Sequence, residues 1–197
     1  MTTAPARDRL REDFEAYPPK ALRIVAANGE EVPFQLKAPQ LRMARGLMAQ
    51  RAAGLPMRAI IVKARKVGFS TQAQGLVIQR ATQTPHHYAL VVAQGTKAVG
   101  EIFGIGKFMH ARLPPQIRPE ITAERNGRGE KMMEFGQPAR NLRLAGDLGL
   151  DSTIEVSTAT EVDAGRGMTI RTLHLSEVAH WKGERGAATK LALKNAV

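Results

Sequence analysis

The first residues that invite a chemical reading are KARKVGFST, Lys63 to Thr71. A phosphate-binding P-loop has the form G-x-x-x-x-G-K-[ST]. Here Gly68 and Ser70 match, Phe69 stands in the place of the lysine, and Lys63 in that of the first glycine. A triphosphate needs backbone N–H groups, a helix N-terminus and a nearby cation. Gly68 lets the backbone approach closely, Ser70 occupies the position whose hydroxyl ligates Mg²⁺, and Thr71 can add a phosphate contact. The cation has three candidate sources in the stretch: Lys63, Arg65 and Lys66. Lys63, at the end of a predicted strand, can fold its side chain across the loop. The same residues also describe a basic strand-to-helix turn that touches nucleic-acid phosphate, or nothing.

Three further stretches carry possible chemistry. In TLHLSEVAHW, an apolar run ends on Glu177. ATPases place Mg²⁺ and a water-positioning carboxylate at the γ-phosphate in this way. Glu177 could orient or activate the attacking water, and Ser176 could hold a metal-bound water where an aspartate is expected. The plainer alternative makes Ser176 a helix cap and Glu177 a first-turn carboxylate. In DAGRGMT, Gly165 and Gly167 flank Arg166. Such a loop presents an adaptable arginine finger, or simply turns and leaves a solvated arginine. In PFQLKAPQ, Gln40 is the candidate for pairing with an adenine edge, with Gln35 in reserve. His86, His87, His174 and His180 lack metal-ligand spacing and read as surface or core residues. Met132 and Met133 read as core filler.

The elements that must position these residues follow from periodicity. A polar start, a short helix and a breaker at Pro18-Pro19 lead to a helix from Pro39 to about Gly54. MRAIIVKA predicts a buried strand over Ala59–Val62. A helix follows from Ser70, then a strand over His87–Ala93 and a helix over Thr96–Leu113, ended by Pro114-Pro115. Thr122 to Gly146, including EKMMEF and NLRLAG, reads as one or two exposed strands or a hairpin. STIEVSTA is a further strand, and TIRTLHL a strand followed by a turn. Short apolar strands alternating with helices predict an α/β fold with a largely parallel sheet and helices on its faces. Ligands of such sheets bind at the carboxyl ends of strands, where KARKVGFST and SEVAHW both fall.

Bulk composition narrows the function classes. The 197 residues carry Lys+Arg 29 against Asp+Glu 18, a net charge of +11. That balance points to a polyanion, nucleic acid first. There is no cysteine, hence no disulfide framework, zinc ribbon or thiol nucleophile. The start lacks the apolar core of a secretory signal, and no apolar run approaches the ~18 residues of a membrane span. No membrane partner is expected.

The upstream glutamine, the K-x-R-K-V-G-F-S-T loop, the glycine-flanked arginine and the strand ending L-S-E-V-A-H-W occur in that order. The set resembles the ATPase domain of the large terminase subunit of tailed bacteriophages, over about residues 34 to 182. Some of those proteins carry the P-loop lysine at the beginning of the loop, as Lys63 would be here. S-E-V-A-H-W resembles their acidic motif followed by A-F-W. The resemblance implies a P-loop NTPase of the ASCE-like class, a three-layer sandwich around a mostly parallel sheet. It implies a motor that hydrolyses ATP with Mg²⁺ to drive double-stranded DNA into a procapsid in the host cytoplasm. The motor works as a homo-oligomeric ring on the portal protein, with a small terminase subunit. Lys63, Arg65, Lys66, Gly68, Ser70 and Thr71 would handle phosphates, Ser70 and (through water) Ser176 the metal, and Gln40 the adenine. Glu177 would be the catalytic carboxylate and Arg166 the finger into a neighbouring subunit. Ser176 departs from the family, which carries an acidic residue there. Residues 1–33 read as a lead segment and 34–197 as the ATPase domain. The expectation is an N-terminal fragment of a longer chain, without a nuclease domain or nuclease activity. A helicase-like ATPase would be expected to keep G-K-[ST] and D-E-x-[DH], and a basic DNA-binding domain without catalysis needs neither.

Overall fold

The computed structural model describes residues 10, 12–64, 66–160, 167–181, 187 and 189. In chain order the elements are α1 (Tyr17–Ala21), β1 (Arg23–Val25), β2 (Glu31–Pro33), α2 (Ala38–Ala52), α3 (Phe69–Gln83), β3 (Tyr88–Ala93) and α4 (Thr96–Ala111). Then come β4 (Ile121–Asn126), β5 (Glu130–Phe135), α5 (Arg140–Leu144), β6 (Ser152–Thr158), β7 (Ile170–Leu175) and a 3₁₀ turn over Val178–His180. A five-stranded sheet has the order β4-β5-β6-β3-β7. β6, β3 and β7 run parallel, while β4, β5 and β6 pair antiparallel. The protein is therefore α/β with a mixed sheet, less parallel than the strand–helix alternation predicts. The antiparallel share comes from the hairpin β4–β5, which the Thr122–Gly146 pattern anticipates, but β5 is not an exposed strand: Met132, Met133 and Phe135 are buried.

The core follows from the both-faces-apolar sequence of β3, YALVVA, buried along its whole length. Ala89, Val91 and Ala93 face a large cluster with Ile154, Val156, Met133, Phe135 and the apolar sides of α3 and α4. Tyr88, Leu90 and Val92 face a smaller one with Leu173, Leu175 and Trp181. At about 25 cal/mol per Å² of apolar surface, two buried faces make β3 the axis of stability. Phe14, Tyr17, Ala21 and Leu22 of the lead segment are also buried, and Tyr17, Ala21 and Leu22 join the large cluster. The closest approach there is at Gly75, where a Cβ would stand 2.9 Å from Leu22 Cδ1 and 3.5 Å from Phe34 Cε1. Gly75→Val should cost ~1–3 kcal/mol through overpacking and appear as a lower midpoint in urea.

Local expectations differ from the structure in four places. No strand forms over Ala59–Val62, and Ile60 and Val62 are each 98% exposed. An apolar run becomes a strand only if a ladder receives it. Here Arg58 instead exchanges both main-chain hydrogen bonds with the Gln50 side-chain amide. Pro18 and Pro19 open α1 rather than breaking a helix, because proline is accepted in a first turn. NLRLAG lies in the short helix α5 and its following turn, not in a strand. β1 and β2 form an antiparallel hairpin that periodicity does not predict, although Asn28-Gly29, with Gly29 at φ 86°, is a strong turn signal.

His87 precedes β3, is 5% exposed, and its Nε2 lies 2.8 Å from Thr172 Oγ1. Burial, then the charges of Arg80 and Arg171, lower its pKa to about 4. The unfolded chain holds a proton on this ring below pH ~6.5 that the folded chain refuses. Stability is therefore full above pH ~6.5 and falls toward pH 4, by at most about 3 kcal/mol from this group. Thermal unfolding between pH 7 and 4 checks this, and His87→Gln should flatten the profile.

Candidate active site

α3 feeds β3 through a short connection and packs on β3, β6 and β7. It therefore runs antiparallel to these strands, and its first turn lies at the edge where they end. Ser70, Thr71, Ser176 and Glu177 thus lie toward the same end of the sheet, although KARKVGFST does not itself follow a strand, as the sequence predicts it would.

The loop entering α3 is shaped by two left-handed residues. Lys66 has φ 62° and Gly68 φ 86° with ψ 15°. A left-handed residue followed by a right-handed helix arranges successive N–H groups around a concave, anion-sized space. The first helical bond is Gln72 N–H to Gly68 C=O, at 3.0 Å. Among the described residues, no acceptor faces the N–H groups of Phe69, Ser70 and Thr71. They carry the positive end of the α3 dipole. Ser70 and Thr71 are half-buried, and Lys66 is exposed.

Gln40 is 2% exposed, and both ends of its amide are engaged. Lys37 N–H donates to Gln40 Oε1 at 2.8 Å, and Gln40 Nε2 donates to Gly68 C=O at 2.9 Å. Gln72 Nε2 donates to Gln40 C=O at 2.7 Å. Gln35 is exposed.

Glu177 is, after Lys66, a second left-handed non-glycine of interest, at φ 54° and ψ 41°. Its neighbours hold it there. Ser176 N–H donates to Val92 C=O at 2.8 Å, continuing the β3–β7 pairing, and Trp181 Nε1–H donates to Ser176 C=O at 3.0 Å. His180 N–H donates to Glu177 C=O at 2.8 Å. Ser176 is buried and caps no helix, because the 3₁₀ turn begins from Glu177 without a side-chain cap. The plain capping explanation for S-E is thereby removed. A glutamate in this region costs about 1–3 kcal/mol, and such strain clusters at functional sites. Its side chain is exposed at the strand end.

His174, on β7, has its Nδ1 enclosed without a hydrogen-bond partner among the described residues. Burial, then the charge of Lys63, lower its pKa to about 4, so the ring is neutral near pH 7. Exposed Lys63 thus lies close enough to the end of β7 for its charge to be felt there. Arg65 and Arg166 lie outside the described residues. Among the described residues, no group of three or more His, Asp or Glu is gathered around a possible metal position. Ser70 is half-buried at the start of α3 and Ser176 is buried just after β7, and a Mg²⁺ ion needs few protein oxygens alongside phosphate and water.

One buried carboxylate escaped sequence reasoning. Glu155 on β6 accepts from Tyr88 Oη and, at 2.6 Å, from Ser157 Oγ. Its place between Ile154 and Val156 gave the signal, since Ser157 and Tyr88 share its face of the sheet. No family model matches the chain, and no curated protein matches it.

Proposed function

We propose that the chain is an ATP-hydrolysing motor domain of the terminase large-subunit kind, with a P-loop NTPase core, acting on double-stranded DNA. The observation that carries the proposal is the shared sheet edge. There a left-handed glycine opens a helix whose first amides meet no acceptor among the described residues, and a left-handed glutamate follows the end of β7. A phosphate chain laid on the first turn of α3 would take the Phe69, Ser70 and Thr71 N–H groups. Lys63, with Arg65 or Lys66, would supply the missing cation. Mg²⁺, if bound, would supply charge neutralisation at the phosphates, and Ser70, with Ser176 through water, would hold it. Glu177 would orient the attacking water and take its proton. Arg166 is the proposed finger for a neighbouring subunit in a ring. A net charge of +11 suits a DNA partner. The portal protein and a small terminase subunit, met in the host cytoplasm, belong to the same proposal.

A second reading has its own observation. The residues before the loop are exposed and lie outside the sheet. A P-loop ordinarily hangs from a strand, so a basic DNA-binding domain without turnover is the alternative. ATP turnover by the chain, with and without double-stranded DNA, separates the two. DNA-stimulated turnover supports the motor. Bound DNA with no turnover and no Mg²⁺-dependent nucleotide binding supports the alternative.

A further inference from the structure

We infer that Gln40 is a positioning residue that clamps Gly68 and so aims the phosphate-facing amides of α3, rather than a contact to a base. The inference rests on the phosphate-binding reading of that turn.

Gln40 has no free edge for a purine. It is 2% exposed, its Oε1 accepts from Lys37 N–H, and its Nε2 donates to Gly68 C=O. The bonds form a closed circuit between two helices. Gly68 C=O accepts from Gln40 Nε2 and from Gln72 N–H, and Gln72 Nε2 returns to Gln40 C=O. Because the peptide is planar and trans, the C=O of Gly68 and the N–H of Phe69 point in opposite directions. Two donors holding that carbonyl inward therefore turn the Phe69 N–H outward, toward the space an anion would occupy.

Gly68 answers the clamp. At φ 86° it adopts a conformation that side chains resist, and a Cβ there would stand 3.0 Å from Gln40 Nε2. Glycine at 68 and glutamine at 40 are thus coupled. Lys37, whose N–H binds Gln40, is the N-cap residue of α2, so the clamp links the start of α2 to the loop.

The test uses the full chain with Gln40→Met, which keeps length but loses the donor, and Gln40→Ala. Binding of ATP, GTP and inorganic tripolyphosphate is measured for each, with hydrogen exchange of the Lys66–Thr71 segment in the absence of ligand. The expected result is about a tenfold loss for all three ligands alike, the size of one lost hydrogen bond. Exchange of the segment should rise while that of β3 stays unchanged. Gly68→Ala should cost less affinity on the Gln40→Ala background than on the natural one, which a merely structural glutamine would not produce. Loss of ATP with GTP and tripolyphosphate unchanged would overturn the clamp in favour of a base contact. If the natural chain binds none of the three, the nucleotide reading fails by itself. Unchanged exchange in Gln40→Met would overturn the clamp in that case as well.

Discussion

Glu177→Gln should lower ATP turnover by ~10²–10⁴-fold, the usual contribution of a positioned general base. Nucleotide affinity should stay nearly unchanged, since the interaction lost is one made only in the transition state. Glutamine keeps the size of the side chain and can hold a water, but cannot take its proton. The backbone sharpens the test. Glu177 sits at φ 54°, a conformation that glycine adopts without penalty. Glu177→Gly should therefore stabilise the fold by about 1 kcal/mol while removing turnover as completely as Glu177→Gln. A residue that weakens the fold where it stands, and whose removal costs only activity, is held there for function. Steady-state turnover, equilibrium nucleotide binding and thermal unfolding of the two variants provide the three readouts. Turnover retained in Glu177→Gln would place the base elsewhere. A Glu177→Gly chain less stable than the natural one would mean that the side chain makes contacts outweighing the strain.

What could be read from sequence, and what could not, divides along the range of the interactions. β3 announces itself because six consecutive apolar or aromatic residues can be buried on both faces, and they are. The spacing of Val99, Ile102 and Phe103 likewise foretells the buried side of α4, whereas Phe108, which the same spacing puts on that side, is only half-buried. Ala59–Val62 has the same local character as β3 and the opposite fate, because a strand needs a partner ladder and a local pattern cannot report one. The mixed sheet has the same cause: the alternation in EKMMEF marks a strand but not the direction of its neighbours. At the site, residue types were legible and conformations were not. Gln40 was singled out as an amide able to pair, yet its partners, Gly68 and Gln72, belong to another helix and its loop. No composition rule marks Lys66 or Glu177 as left-handed. Neither is a residue type enriched there, and Glu177 is held by bonds to β3, Trp181 and His180 that no local pattern reports.

Lys63→Ala carries the second large effect, about a 10- to 100-fold loss of ATP affinity. A charge-assisted contact to phosphate contributes ~1.5–3 kcal/mol, and each 1.4 kcal/mol is a tenfold change. Three observations select this lysine. The position that normally carries the cation holds Phe69, so the first turn of α3 offers amides but no ammonium. Lys63 lies near enough to β7 for its charge to help depress His174. It is exposed and bound to no carboxylate among the described residues, so its side chain is available. The same exposure protects the test, because surface substitutions of this kind change stability by less than ~0.5 kcal/mol. A loss of binding in a chain of unaltered melting temperature therefore reports the contact itself. The loss should shrink as salt is raised, since screening weakens the contact in the natural chain and leaves the alanine variant nothing to lose. Lys66→Ala is the control. Lys66 is also exposed, and it lies within the loop rather than before it. Affinity unchanged in Lys63→Ala and lost in Lys66→Ala would move the cation into the loop proper. Lys63 and the exposed run Ala59–Val62 before it would then have no part in binding.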